Sequence, residues 1–179
     1  MKIIQSDPPN NDICTERLTL RQPEKSHFVA LQNIWADTKL LQFIGPPSTP
    51  EEVWARLLKY IGHWSTFGFG YWMVHETKTD HFLGEVGVAW QQRTTLPAHG
   101  DLPEAGWIFS PAAQGQGFAS EALSAVLEYS GSRINSPGIT CLIDPSNKAS
   151  ILLAERKGFK KFGTTLIGTN RINAYLRLI

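Results

Sequence analysis

Residues 104–143 read as the apolar run "EAGWIF", the loop "SPAAQGQG", a helical stretch from about Ala119 to Arg133, and a second apolar run, "GITCLI". A strand, a helix and a strand in so short a span predict a parallel pair joined by a right-handed crossover. The loop between them is unusually bare, with Gly115 and Gly117 followed by Ala119 and Ser120. At a strand-to-helix junction, unpaired backbone N–H groups point outward along the positive end of a helix dipole. Small residues there let an anion approach the backbone, and phosphate is the usual guest. The same glycines also suit a tight turn that needs positive φ.

Other segments complete a mixed α/β sheet. "ERLTLRQ" reads as a first strand and "EKSHFVALQNIWAD" as a helix, with Phe28, Leu31, Ile34 and Trp35 at helical spacing. "STPEE" opens a second helix, with Thr49 as cap, Pro50 at the first helical position and Glu52 closing a capping box. Val53, Leu57, Ile61 and Trp64 form its expected buried stripe. "YWMVHE" and "FLGEVGVAW" predict an antiparallel hairpin across "TKTD". A helix from about Lys148 to Lys157, ended by Gly158, precedes two last strands, "KKFGTTLI" and "INAYLRLI". The predicted order is β, α, α, β, β, β, α, β, α, β, β, with about four helices. Residues 1–12 are read as a flexible N-terminus and 13–179 as one domain.

Composition removes several function classes. A formal net charge of +1 lacks the basic excess of nucleic-acid or membrane-surface binders. Apolar residues make up 42% and charged residues 18%, which excludes disorder. Cys14 and Cys141 lie far apart and form neither a C-x-x-C site nor a disulfide framework. His27, His63, His75 and His81 show no metal-ligand spacing, so no metal is expected. The start "MKIIQSDPPNND" is too short an apolar run for a signal peptide or a membrane span, and the expectation is a soluble cytoplasmic protein, monomer or homodimer.

The loop chemistry narrows further. No Lys-Ser or Lys-Thr follows the glycines, so a Walker A loop is absent, and no G-x-S-x-G elbow supports an α/β-hydrolase. "GQGFAS" matches only the first half of a dinucleotide-binding fingerprint, because Ser120 stands where the third Gly or Ala belongs. NAD(P)-dependent oxidoreduction therefore stays as an alternative.

Gln114-Gly115-Gln116-Gly117-Phe118-Ala119 resembles the pyrophosphate loop [QR]-x-x-G-x-[GA] of the GNAT superfamily of acyl-CoA N-acyltransferases. "EAGWIF" resembles the fourth strand of that family, and "PSNKASILLAERKGF" its N-x-x-S helix ending in Gly-Phe. From "TERLTLR" through "GFGYWMV", "FLGEVGV" and "QGQGFASEA" to "AERKGF", the order resembles most the ribosomal-protein N-terminal acetyltransferases of the RimJ/RimL type. The resemblance implies a sheet splayed between its fourth and fifth strands, with acetyl-CoA in the opening and an amine acceptor, a small molecule or a peptide N-terminus, attacking directly. A CoA-binding sensor without turnover is the non-enzymatic alternative.

The resemblance also implies roles. The amides of Gly115, Gln116, Gly117, Phe118, Ala119 and Ser120 would receive the pyrophosphate, with Gln114 as a side-chain donor. The backbone of Ile108, Phe109 and Ser110 would pair with the pantetheine arm, which Asn147 would hold. Ser150 would face the thioester sulfur and protonate the departing thiolate. Ala154 occupies the helix position where many relatives place a Tyr for that task. Glu104 is the candidate general base and His99 its alternative. Asn147 and Ser150 equally suit helix capping, and Glu104 a surface strand end. The acceptor pocket is expected from the two N-terminal helices, the loop Gln91–Leu102 and the last hairpin around Ile167–Ile172. Trp35, Phe43, Trp64, Phe67, Trp72 and Trp107 are expected either to line it or to pack in the core.

Overall fold

A computed structural model describes residues 12–93 and 102–179. Its elements are β1 (Ile13–Cys14), β2 (Leu18–Arg21), a 3-10 turn (Lys25–His27), α1 (Phe28–Trp35), α2 (Thr38–Leu41), α3 (Pro50–Phe67), β3 (Tyr71–Glu76) and β4 (Phe82–Ala89). After these come β5 (Glu104–Phe109), a second 3-10 turn (Pro111–Ala113), α4 (Phe118–Gly131), β6 (Gly138–Ile143), α5 (Lys148–Arg156), β7 (Lys160–Ile167) and β8 (Asn170–Leu178). All eight strands form one mixed sheet in the order β1-β2-β3-β4-β5-β6-β8-β7. Relative to the sequence reading, β1 and α2 are additions. Both are too short to express a hydrophobic period, and α2 forms because Asp37 caps it by accepting from the amides of Lys39 and Leu40.

Every neighbouring pair is antiparallel except β5 and β6. That parallel pair is joined in register only at Glu104 and Thr140. The Thr140 amide and hydroxyl both donate to the Pro103 carbonyl, at 2.9 and 3.2 Å, and so pin the strands at that end. By contrast β4 and β5 pair from Gly84–Phe109 to Ala89–Glu104, and β6 and β8 from Gly138–Leu178 to Ile143–Asn173. The sheet is therefore split between the fourth and fifth predicted strands, here β5 and β6.

Alternation along the strands builds a core on each face. Trp72, Val74, Val86 and Val88 pack with Phe118, Leu123 and Val126 of α4, while Tyr71, Met73 and Ile108 pack with Leu31, Val53 and Leu57 of α1 and α3. A fully buried Leu such as Leu57 or Leu123 contributes roughly 1.5–3 kcal/mol.

Helix α3 starts as its sequence predicts. Thr49 Oγ1 accepts from the Glu52 amide at 3.3 Å, Glu52 Oε2 accepts from the Thr49 amide at 2.8 Å, and Gly68 ends the helix with φ 71°. Its buried face is Val53, Leu57, Tyr60, His63 and Trp64, with Ile61 only half-buried. The face turns toward Tyr60 and His63 because their polar tips find partners inside. His63 Nδ1 donates to the Phe69 carbonyl at 2.6 Å and Nε2 accepts from the Trp90 amide at 3.0 Å. That uses both ring nitrogens, and burial holds His63 below its ordinary pKa, so it is structural. Of the six aromatic candidates, Trp64 and Trp72 are core, Phe67 is exposed, and Trp35, Phe43 and Trp107 line a cavity.

Candidate active site

The parting of β5 from β6 opens a cavity of about 760 Å³. Gly106, Trp107 and Ile108 line one side, and Cys141, Leu142 and Ile143 the other. Arg56 and Tyr60 of α3 close one wall, Asn147 and Ser150 of α5 another, and Ile167, Asn170 and Ile172 of the last hairpin a third. Of the four surfaces expected to frame an acceptor pocket, three reach the cavity: α1 through Trp35, α3 through Arg56 and Tyr60, and the last hairpin. Of the fourth, Gln91 and Arg93 line the cavity, while residues 94–101, including His99, lie outside the described residues, as do residues 1–11.

At the far end of β5 lies the bare loop. Gly115 and Gly117 adopt φ of 74° and 81°, left-handed conformations that disfavour a side chain, and Gly117 is the N-cap of α4 with no side chain capping the helix. The only acidic residue in the first turn, Glu121, is turned away. Its Oε1 accepts from Thr15 Oγ1 at 2.6 Å, and its Oε2 accepts from Arg17 Nε at 2.8 Å. Arg17 also donates from Nη1 to the Gln116 carbonyl at 2.9 Å and stacks on the Phe118 ring. A cation therefore neutralises the one nearby carboxylate and braces the loop, leaving the helix N-terminus electropositive. Arg17 was not foreseen, because its contact with the loop spans nearly a hundred residues. Gln114 is engaged within the loop, donating from Nε2 to the Phe109 carbonyl at 3.3 Å. The Ser110 amide is likewise engaged, with the Leu83 carbonyl at 2.8 Å.

Across the opening, Trp107 Nε1 donates to Ser150 Oγ at 3.2 Å, so the strand and the start of α5 meet at a hydroxyl. Asn147 Oδ1 accepts from the Ser150 amide at 3.1 Å, the capping geometry its position suggests. At the closed end, both oxygens of Glu104 accept from Arg93, Oε1 from Nη2 at 2.8 Å and Oε2 from Nε. The hydrogen bonds and charge of Glu104 raise the Arg93 pKa.

A second carboxylate lines the cavity from β4. Glu85 is 1% exposed, and its Oε1 accepts from the Tyr60 hydroxyl at 2.7 Å. Oε2 has no hydrogen-bond partner among the described residues. Burial pushes the Glu85 carboxyl up to about 7, against smaller opposing effects of Tyr60, the Arg56 charge and the neighbouring Trp35 indole. Tyr60 is held well above its ordinary value by the same burial and by the Glu85 charge. Tyr71 stacks on Tyr60 at 4.5 Å, and its hydroxyl lies against Gly106, where any Cβ would overlap it. Among the described residues no group of His, Cys, Asp or Glu is arranged to hold a metal ion, and no helix is long and apolar enough to cross a membrane.

Residues 17–160 match the model of the acetyltransferase (GNAT) domain. The chain belongs to the GNAT acetyltransferase family. Among curated relatives, this GNAT chain is 26% identical over 151 residues to the uncharacterized N-acetyltransferase p20 of Bacillus licheniformis, covering 83% of this chain and 82% of p20. It is 35% identical over 92 residues to the uncharacterized protein YkkB of Bacillus subtilis, and there the match spans about half of each protein, 51% and 51%. A solved GNAT-family acetyltransferase from Bordetella pertussis superposes with a TM-score of 0.81 at 26% identity, over 93% of this chain and 98% of that one. RimL, the ribosomal L7/L12 α-N-protein acetyltransferase in complex with coenzyme A, shares the fold at TM-score 0.76 and 21% identity, over 94% and 98%. So does the spermidine N-acetyltransferase of Vibrio cholerae, solved with CoA and spermine, at TM-score 0.72 and 20% identity over 92% and 96%.

Besides Arg17 and Arg93, sequence reasoning passed over Glu85 in this GNAT domain. Its signal was present: "FLGEVGVA" is a strand buried along almost its whole length, and a lone carboxylate inside such a run demands an explanation. The hairpin reading treated the run only as a strand.

Proposed function

We propose that this protein is an acetyl-CoA-dependent N-acetyltransferase that transfers an acetyl group to a primary amine by direct attack in the opening between β5 and β6. The single observation that carries this reading is the split sheet: β5 pairs with β6 only at Glu104, and the same strand leads into a glycine helix start that no side chain caps. In this reading the amides of residues 115–120 hold the CoA pyrophosphate. The free edge of β5 through Ile108 and Phe109 pairs with the pantetheine arm, which Asn147 flanks. When bound, acetyl-CoA supplies the thioester carbon that the amine attacks.

The chain's own residues then have modest work. In this reading Ser150, whose Oγ accepts from Trp107 Nε1, gives the departing thiolate a proton, and a thiol pKa near about 8.5 makes that help small. The acceptor side needs more. An α-amine, with pKa about 7.7–8.0, is partly neutral at pH 7, whereas a lysine-like amine near 10.4 is almost wholly protonated. An acceptor with an α-amine, such as a peptide N-terminus, suits the site best on this ground.

Thermal shift with CoA, acetyl-CoA and NADH tests the reading. A ligand at a hundred times its Kd adds about 2.7 kcal/mol of stability. Stabilisation by both CoA compounds and not by NADH is the expected result; stabilisation by NADH alone would overturn it.

A further inference from the structure

The proposed transfer leaves one task unassigned, because the acceptor reaches the protein as an ammonium ion and must lose a proton before its nitrogen attacks. Four carboxylates line the cavity, Glu52, Glu85, Glu104 and Asp144. Glu52 is held in the capping box of α3, and Asp144 Oδ1 accepts from the Ser146 amide. Glu104 has both oxygens bound by Arg93, so it acts as half of an ion pair at the closed end of the opening. Glu85 differs in each respect that matters to proton transfer. It is buried, it has one oxygen fixed by Tyr60, and its other oxygen has no partner. A buried carboxylate oxygen left without a donor is costly to keep, and such costs concentrate where a group has chemistry to perform.

The surroundings of Glu85 are few and can be named. Arg56 and Tyr60 face it from α3, Trp35 from α1 and Tyr71 from β3, while its register partner on β5 is the apolar Ile108. The Arg56 guanidinium lies over the Trp35 ring at 3.5 Å and makes no ion pair with Glu85 within 4.0 Å. The Arg56 charge and the Trp35 indole favour the ionised carboxylate from nearby without an ion pair, and Oε2, which has no hydrogen bond, is the oxygen left for an entering ammonium group.

We propose, resting on the acetyl-transfer reading above, that Glu85 is the base of the reaction and takes the proton of the acceptor's ammonium group on its unpartnered Oε2. The freed nitrogen lone pair forms the new bond to the thioester carbon. The carbon–sulfur bond breaks with both electrons going to sulfur, and the second proton lost from nitrogen ends on the thiolate as CoA thiol. Glu85 afterwards returns its proton to solvent through the cavity. A carboxyl titrating near 7 is ionised often enough at neutral pH to accept a proton and acidic enough to release it. Tyr60 is a positioning residue: its hydroxyl fixes Oε1 and so aims Oε2.

The test measures CoA thiol release with the tripeptide Ala-Gly-Gly and with spermine as acceptor probes, across pH 5.5 to 9, for wild type, Glu85→Gln and Tyr60→Phe. Glu85→Gln keeps the shape and the acceptor for Tyr60. It is expected to lower kcat/KM on the better probe by about 10²–10⁴-fold, with the KM for acetyl-CoA unchanged. Tyr60→Phe removes a hydrogen bond that favours the ionised carboxylate, so the acid limb of the wild-type profile should move to higher pH. Wild-type turnover with Glu85→Gln within threefold of it, or a limb unmoved in Tyr60→Phe, would overturn the assignment while leaving the acetyltransferase reading intact. CoA-induced stabilisation of wild type without thiol release to any amine would overturn both.

Discussion

Strand β5 has two edges with opposite fates. Along β4 it is paired from end to end; along β6 it is joined at Glu104 and then left open. The paired edge is held by a generic ladder, whereas the open edge collects the residues that only a site needs: a hydroxyl bridged to Trp107, an ion pair at the apex, and a glycine loop at the far end. A sheet that gives up strand pairing loses backbone hydrogen bonds, so the open boundary persists only because Thr140 pins one end and separate cores pack on both faces.

The largest effect that sharpens this contrast concerns Glu85, which sits under the open edge. Its carboxyl is raised from 4.5 to about 7 in the folded protein. The folded state therefore binds more protons than the unfolded chain between those values, and stability falls as pH rises through that window. By linkage the loss amounts to about 3 kcal/mol above pH 7. Glu85→Gln should remove this slope and be more stable than wild type at pH 8, as read by denaturant unfolding at pH 4.5 and 8. Equal slopes in the two proteins would mean that the carboxyl is not buried as described.

Next comes the loop. Gly117→Asp adds a charge of the wrong sign where α4 presents its free amides, and CoA affinity should fall at least about 100-fold by calorimetry, read well below the Tm of the variant because the left-handed backbone there also costs it stability. Undiminished affinity would remove the loop from the site. Smaller still, Gly106→Ala places a methyl against the Tyr71 hydroxyl and should cost about 1–3 kcal/mol. Adding Tyr71→Phe should restore most of it, since the two residues touch and their effects are coupled. Smallest, Ser150→Ala should lower kcat by less than about tenfold, because thiolate departs readily without an acid. A loss beyond a hundredfold would give Ser150 a heavier role than this geometry assigns.

Much of the frame was legible in the sequence because its signals are local. The capping box at Thr49, the glycine loop and the "GITCLI" strand each declare themselves within a few residues. The split between β5 and β6 was legible only through resemblance, since no local pattern distinguishes an unpaired edge from a paired one. Arg93 and Arg17 were missed because their partners, Glu104 and Glu121, lie on other elements. Glu85 was visible as a lone charge in an apolar strand, but its depth depends on α3 folding over it, and its unpartnered oxygen on where Tyr60 points.

The central claim is that the open edge of β5 is where acetyl-CoA meets an amine. Its most direct measurement is acetyl transfer itself: the purified protein, acetyl-CoA and a panel of peptide N-termini, amino acids, polyamines and aminoglycosides, followed by thiol release and by the mass of each acceptor. The account predicts stoichiometric release of CoA thiol with a gain of one acetyl group on a primary amine, lost in Gly117→Asp. Tight binding of acetyl-CoA with no acetylated product from any amine would contradict it.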